Sequence, residues 1–143
     1  MTTAATQAIS FEHALDGNEI KYTRNDDLPQ PVFIIDFGGG DFTYQHLSVR
    51  VFFDDDGNSV HVLTAPIANI PEERIPRMLE VLNDLHNRFR WIRFYIDGDN
   101  DLVADTDIII DDVTAGDMCV EIVMRTASVI DDAYADIMRA VWA

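Results

Sequence analysis

Residues 71–110 read PEERIPRMLEVLNDLHNRFRWIRFYIDGDNDLVADTDIII, and this stretch decides the fold. Its first half places Ile75, Met78, Leu79, Leu82, Leu85 and Phe89 on one face of a helix, with Arg77, Glu80, Asp84 and Arg88 opposite. Asn69 and Glu72 have capping-box spacing and Pro71 suits a first turn. Pro76 lacks an N–H and its ring disturbs the preceding turn, so the regular helix is expected to start nearer Pro76 than Pro71. The second half alternates as two strands, Phe89 to Ile96 and Leu102 to Ile110, joined by the polar turn 97–101. One register keeps like with like. Ile96 faces Leu102, Phe94 faces Ala104 and Ile92 faces Thr106 on the core side, while Tyr95 lies by Val103, Arg93 by Asp105 and Trp91 by Asp107 on the outer side. A slip of one residue would separate Arg93 from Asp105. The stretch is therefore a helix laid on an antiparallel hairpin.

Working outward, residues 4–15 suggest a helix with Ile9, Phe11 and Leu15 loosely on one side, stopped by Asp16-Gly17-Asn18. A short strand at Ile20 to Tyr22 precedes the polar break Asn25-Asp26-Asp27. Val32 to Phe37 is a buried-strand run ended by Gly38-Gly39-Gly40. Phe42 to Phe53 alternates, with Leu47, Val49, Val51 and Phe53 on one side and Tyr44, His46, Ser48 and Arg50 on the other. The turn Asp55-Asp56-Gly57-Asn58 returns the chain through Ser59 to Ala65. From Thr114, where Asp117 again gives capping-box spacing, Val123, Ala127, Ile130, Tyr134, Ile137 and Val141 recur every three or four residues as a long amphipathic helix over 114–142. That stripe packs on the domain's own sheet in preference to a coiled-coil partner. The expected architecture is α+β, an antiparallel sheet of about five strands with helices in the order α-β-β-β-α-β-β-α. Residues 1–143 form one domain, with residues 1–20 as its N-terminal helix region.

At 143 residues and 48% apolar composition, the chain buries a core without staples. Its formal charge of −16 comes from 26 acids, 20 of them Asp, against 10 Lys and Arg. Such a chain repels phosphate backbones and anionic lipid, which argues against nucleic acid and membrane as partners. The charge is uneven: Asp97 to Asp112 holds seven Asp and no base, while Arg74, Arg77, Arg88, Arg90 and Arg93 supply half of the bases. A lone cysteine, Cys119, cannot form an internal disulfide, and the N-terminus shows neither a basic segment nor an apolar run. A soluble cytoplasmic protein is expected.

The Pro-Glu-Glu opening at 71–73, the Leu-Asn-Asp-Leu-His-Asn close at 82–87, the aromatic strand through Phe94 and the return at Leu102-Val103-Ala104 resemble the YbjN-domain family. The resemblance covers most of the chain beyond about residue 20. It implies the type III secretion chaperone-like fold and a role as a regulator of sensory transduction or a chaperone-like holder of partner segments. It transfers no catalytic residues.

The residues themselves supply no catalytic constellation. Asp97-Gly98-Asp99-Asn100-Asp101 begins like a calcium loop, but Leu102 and Ile108 stand where an EF-hand needs a glycine and an acid, so it reads as a hairpin turn. Gly38-Gly39-Gly40 is followed by Asp41 and a strand, with no helix N-terminus to receive a phosphate. His13, His46, His61 and His86 lack ligand spacing, and Cys119 sits near Asp117 and Glu121, which oppose thiolate formation. No metal or cofactor is called for. The expected function is a non-enzymatic protein-binding module, with a structural homodimer or a small hydrolase as the other classes. Its candidate binding residues are Trp91, Arg93 and Tyr95, two large aromatics flanking an arginine, rimmed by Asp105 and Asp107. That rim suits a basic, partly apolar partner segment or a second subunit.

Overall fold

The computed structural model describes residues 4–55 and 57–143. Its elements are α1 (Ala4–Gly17), β1 (Thr23–Asn25), β2 (Val32–Phe37), β3 (Leu47–Phe53), β4 (Ser59–Thr64), β5 (Ala68–Asn69), a 3₁₀ turn (Glu72–Arg74), α2 (Ile75–Arg88), β6 (Arg93–Ile96), β7 (Asp101–Ile109) and α3 (Ala115–Trp142). All pairings are antiparallel. The sheet runs β1-β2-β3-β4-β7; β5 follows β4 along one edge of β7, and β6 lines the other.

The α+β order holds, but the described residues form seven strands instead of about five. The added ones are β1, which begins at Thr23 and not at Ile20, and β5. Pro66 explains β5. A proline has no N–H for the ladder, so the strand breaks after Thr64, whose hydroxyl accepts the Ala104 N–H at 3.0 Å. Pairing with β7 resumes when Ile67 N–H donates to Leu102 O at 2.7 Å. The strand expected from Phe42 starts only at Leu47. Gly38 (φ +151°) turns the chain where a Cβ would lie 2.1 Å from Gln45 O, and Tyr44 is drawn into the core to donate its hydroxyl to Ala127 O of α3 at 3.0 Å.

One face of the sheet carries Phe33, Ile35, Val49, Val51, Phe53, Val60, Val62, Phe94, Leu102 and Ala104, all buried. The three helices cover this face. Phe11 of α1 meets Phe33 edge-on at 5.0 Å and Phe53 at 5.9 Å, and each such fully buried ring contributes about 1.5–3 kcal/mol. Buried residues of α1 are Ala4, Gln7, Ala8, Phe11 and Leu15; Ile9, expected among them, is exposed. The helix closes through a left-handed Glu19 (φ 57°), with Ile20 N–H reaching Leu15 O at 2.9 Å. In α2, Met78, Leu82 and Leu85 are buried and Leu79 is not. Neither capping box forms. The Asn69 side chain bonds across to Asp99 and Asp101, and Asp111 accepts from the N–H groups of Val113 and Thr114. Pro76 sits in the first turn of α2, where its missing N–H has no intrahelical partner to lose. The α3 stripe of Val123, Ala127, Ile130, Ile137 and Val141 is buried on the sheet, with Tyr134 half-buried. Cys119 is buried among them, and desolvation pushes its thiol up to about 12, so it stays protonated. Asp56, in the β3–β4 turn, lies outside the described residues.

Two glycines separate close packing from open space. A Cβ on Gly116 would lie 2.5 Å from the Ser10 carbonyl, so α1 and α3 touch only because Gly116 has none, whereas a Cβ on Gly17 would meet nothing. Gly116→Ala is expected to force the helices apart at a cost of about 1–3 kcal/mol, and Gly17→Ala to stabilise by about 0.5–1 kcal/mol through helix propensity. Thermal unfolding of the two variants checks the opposite signs.

Candidate partner-binding face

With α1, α2 and α3 on one side, the other side of the sheet has no helical cover among the described residues. Alternation along the strands places side chains there in rows. One row runs Thr23, Ile34, Arg50, Leu63, Asp105, Arg93 across β1 to β6, and the next runs Asn25, Val32, Phe52, His61, Asp107. Ile34, Phe52, Leu63 and Tyr95 are half-buried, and Ile109 is 89% exposed.

The β6–β7 register agrees with the sequence reading: Arg93 faces Asp105, Phe94 faces Ala104, Tyr95 faces Val103 and Ile96 faces Leu102. Arg93 grips Asp105 with two hydrogen bonds, Nε at 2.9 Å and Nη2 at 2.7 Å, and its guanidinium lies 4.9 Å from the Tyr95 ring centroid. Those bonds hold the Arg93 pKa above its usual value. They also cover Asp105, which is 3% exposed. On its other side His61 Nε2 stands 4.0 Å away, while His61 Nδ1 lies 2.7 Å from Asp107 Oδ1. His46 and Asp36 are 3.3 Å apart. Arg50, flanked laterally by Ile34 and Leu63, makes no hydrogen bond or ion pair among the described residues.

Arg93, Tyr95, Asp105 and Asp107 therefore share the outer face. Trp91 does not join them. It precedes β6, adopts φ +79°, and the expected pairs Trp91–Asp107 and Ile92–Thr106 do not form. The ring turns to the helix side, where the guanidinium carbons of Arg90 and Arg125 lie 5.5 and 5.6 Å from its centroid. It borders a recess of about 100 Å³ with Ile108, Met118, Ile122 and Arg125. The cause is local: β6 is four residues long, and past Arg93 no ladder bond holds the chain to strand geometry. Conversely, Arg50, Phe52, His61 and Leu63 extend the face beyond the residues first singled out. Their alternation was visible in the sequence, but which side the helices cover was not.

The loop 97–101 explains its own acids. Asp97 Oδ1 accepts the N–H groups of Asp99 at 2.9 Å and Asp101 at 3.0 Å, and Asp101 Oδ1 accepts from Asn69 at 3.0 Å. The three carboxylates offer oxygens within 4.8 Å of one another.

The sequence matches the YbjN family, described as "Putative bacterial sensory transduction regulator", over residues 10–138. This chain belongs to the YbjN family. No curated protein matches it. Among solved structures it is similar to "YbjN, a putative transcription regulator from E. coli", with 12% identity, TM-score 0.58, and 90% of this chain and 92% of that one covered. It is also similar to the Yersinia pestis type III secretion chaperone SycH, solved in complex with a stable fragment of YscM2, at 14% identity and TM-score 0.53, covering 90% and 98%. The fold is thus that of YbjN and of a type III secretion chaperone. Among the described residues no helix is long and apolar enough to cross a membrane.

Two outcomes test this geometry. Arg93→Ala strands Asp105 beneath the surface with a charge and no bidentate partner, so it is expected to lower the melting temperature, and Asp105→Asn in the same background to recover most of the loss. A double-mutant thermal cycle measures the coupling. In calcium-free buffer, Asp97→Ala is expected to cost about 1 kcal/mol, because two backbone N–H groups lose their acceptor, while Asp99→Ala leaves the melting temperature nearly unchanged. A large calcium-dependent rise in the unmodified protein would assign the loop to metal binding instead.

Proposed function

We propose that this protein is a non-enzymatic, cytoplasmic, protein-binding module, chaperone-like in that the bare face of its sheet holds a segment of a partner protein. The observation that carries the reading is the one-sided placement of α1, α2 and α3, which leaves Ile34, Phe52, Leu63 and Tyr95 without cover. Apolar side chains left accessible on one face of a folded domain, here interleaved with Arg50 and the Arg93–Asp105 pair, are the kind of surface proteins use for one another. Among its polar groups, Arg93 is fixed by Asp105 and lies against the Tyr95 ring. Aromatic and arginine side chains anchor interfaces because they bury much area with few torsions to freeze.

The comparisons support the same class. The family is described as one of sensory transduction regulators, and the SycH structure holds a fragment of another protein. A regulator without catalytic residues acts by holding and releasing partners. The charge of −16 keeps nucleic acid and anionic membrane away from most of the surface, which leaves protein as the partner class.

A photo-crosslinking amino acid placed at Leu63 or Tyr95 is expected to give discrete protein adducts in extracts of the native host, and one placed at the helix-side Glu80 to give none. Phe52→Ala with Tyr95→Ala is expected to abolish those adducts while circular dichroism still reports a folded domain. Adducts that form equally from Glu80, or that survive the double substitution, would move the binding surface elsewhere.

A further inference from the structure

We propose that Trp91 is a two-position switch at the edge of the sheet. In the structure its ring lies on the helix side; in the second position residues 91 and 92 zip onto β7 and the ring stands on the bare face. The inference rests on the reading of that face as a binding surface and supplies its regulation, because only the second position sets an indole beside Arg93 and Tyr95.

The seat for this second position is already built. Antiparallel pairing turns the backbone groups of successive residues to opposite edges of a strand. Ile110 N–H donates to Asn58 O and Ala104 N–H to the Thr64 hydroxyl, so the even-numbered residues of β7 turn toward β4 and the odd-numbered ones toward β6. Val103 and Asp105 meet Tyr95 and Arg93 there. In the same register Asp107 comes opposite residue 91, but β6 begins only at Arg93. Among the described residues the N–H and C=O of Asp107 therefore make no hydrogen bond. Both point to the place that one more pair of β6 residues would fill.

The residues that would fill it adjoin it. Ile92 is buried on the core side, the side it keeps when paired with Thr106, so only Trp91 changes sides. Its φ of +79° is one that a bulky side chain adopts only under constraint, and the extended backbone of a strand relieves it. The contacts that hold the ring in its present position are weak. The guanidiniums of Arg90 and Arg125 lie 5.5 and 5.6 Å from its centroid, and cation–π attraction is small at a ring this exposed. Arg125 keeps Glu121 at 2.8 Å whichever way the indole points, so the crossing strands no charge. Two ladder hydrogen bonds and relieved strain on one side thus stand against two cation–π contacts and a shallow recess on the other. A partner segment lying on the bare face buries the ring in the second position alone, and its binding draws Trp91 across.

Hydrogen exchange at the Asp107 amide, followed by NMR, tests the proposal, because that N–H is bonded only when residue 91 is in the ladder. Trp91→Gly accepts the left-handed backbone and Trp91→Val rejects it in favour of a strand. The Asp107 amide is expected to exchange at least tenfold more slowly in Trp91→Val than in Trp91→Gly, with the Val103 amide, laddered to Tyr95 in both, unchanged. A second measurement traps the same position. With Cys119→Ala removing the native thiol, Trp91→Cys and Asp107→Cys are expected to close a disulfide under mild oxidation, since directly paired residues have Cα atoms about 5.5 Å apart; side chains on opposite sides of the sheet cannot meet. Equal Asp107 exchange in the two variants, or a cysteine pair that stays reduced, overturns the switch. A photo-crosslinking residue at 91 is expected to give the adducts obtained from Tyr95. Adducts from Tyr95 and none from 91 overturn the coupling of the switch to binding, whereas none from either position overturns the binding face and leaves the switch to the exchange and disulfide results.

Discussion

The close approach of α1 and α3 at Gly116 is the contact on which the arrangement of this molecule depends. With 2.5 Å between the Ser10 carbonyl and the place a Cβ would occupy, the two helices share one layer over the sheet. That layer is completed by α2, whose Arg88 reaches Asp136 of α3 at 2.8 Å. The Phe11, Phe33 and Phe53 cluster and the Tyr44 hydroxyl bond to α3 then pin loops and strands to the same side. Three helices in one layer leave none for the opposite face. The bare face follows from helix packing, and whatever function it has derives from that choice of side.

A bare face in an acidic protein poses an electrostatic problem that the strands solve by pairing. Arg93 sits beside Asp105 because antiparallel register puts them directly opposite, and the bidentate geometry lets the carboxylate be covered without leaving its oxygens unsatisfied. His61 gains Asp107 by the same rule on the other side of β7. Coulombic self-repulsion is thereby moved to the helices and loops, where water screens it. Seven Asp nonetheless crowd the segment from Asp97 to Asp112.

Period-two alternation made this face legible wherever a strand was long enough to hold register. The pairing of Arg93 with Asp105 and the outward direction of Arg50 were both readable because each lies inside a laddered run. Local chemistry that depends on distant partners was not. Nothing near Tyr44 announces that its hydroxyl will find Ala127, 83 residues on, and pull the chain out of strand geometry. Capping boxes at Asn69 and Thr114 failed for a similar reason: Asn69 had a better partner across the sheet, and Asp111, three residues before Thr114, reached the orphan N–H groups first. The β5 strand is too short to show a period, and its cause, Pro66, reads in sequence as a plain break.

Trp91 shows where such reading stops and what replaces it. An aromatic at the alternating position before Arg93 belongs on the outer face only if the strand extends that far, and β6 does not. Released from the ladder, the backbone takes φ +79°, a conformation that costs a bulky residue of order 1–3 kcal/mol. The indole offsets part of this through the two guanidiniums within 5.6 Å of its ring, and it borders the recess that Ile108, Met118 and Ile122 also line. Trp91 remains 56% exposed even so. The apolar surface therefore does not end at the edge of the sheet. On the helix side it includes Trp91, which borders a recess with Met118 and Ile122 of α3.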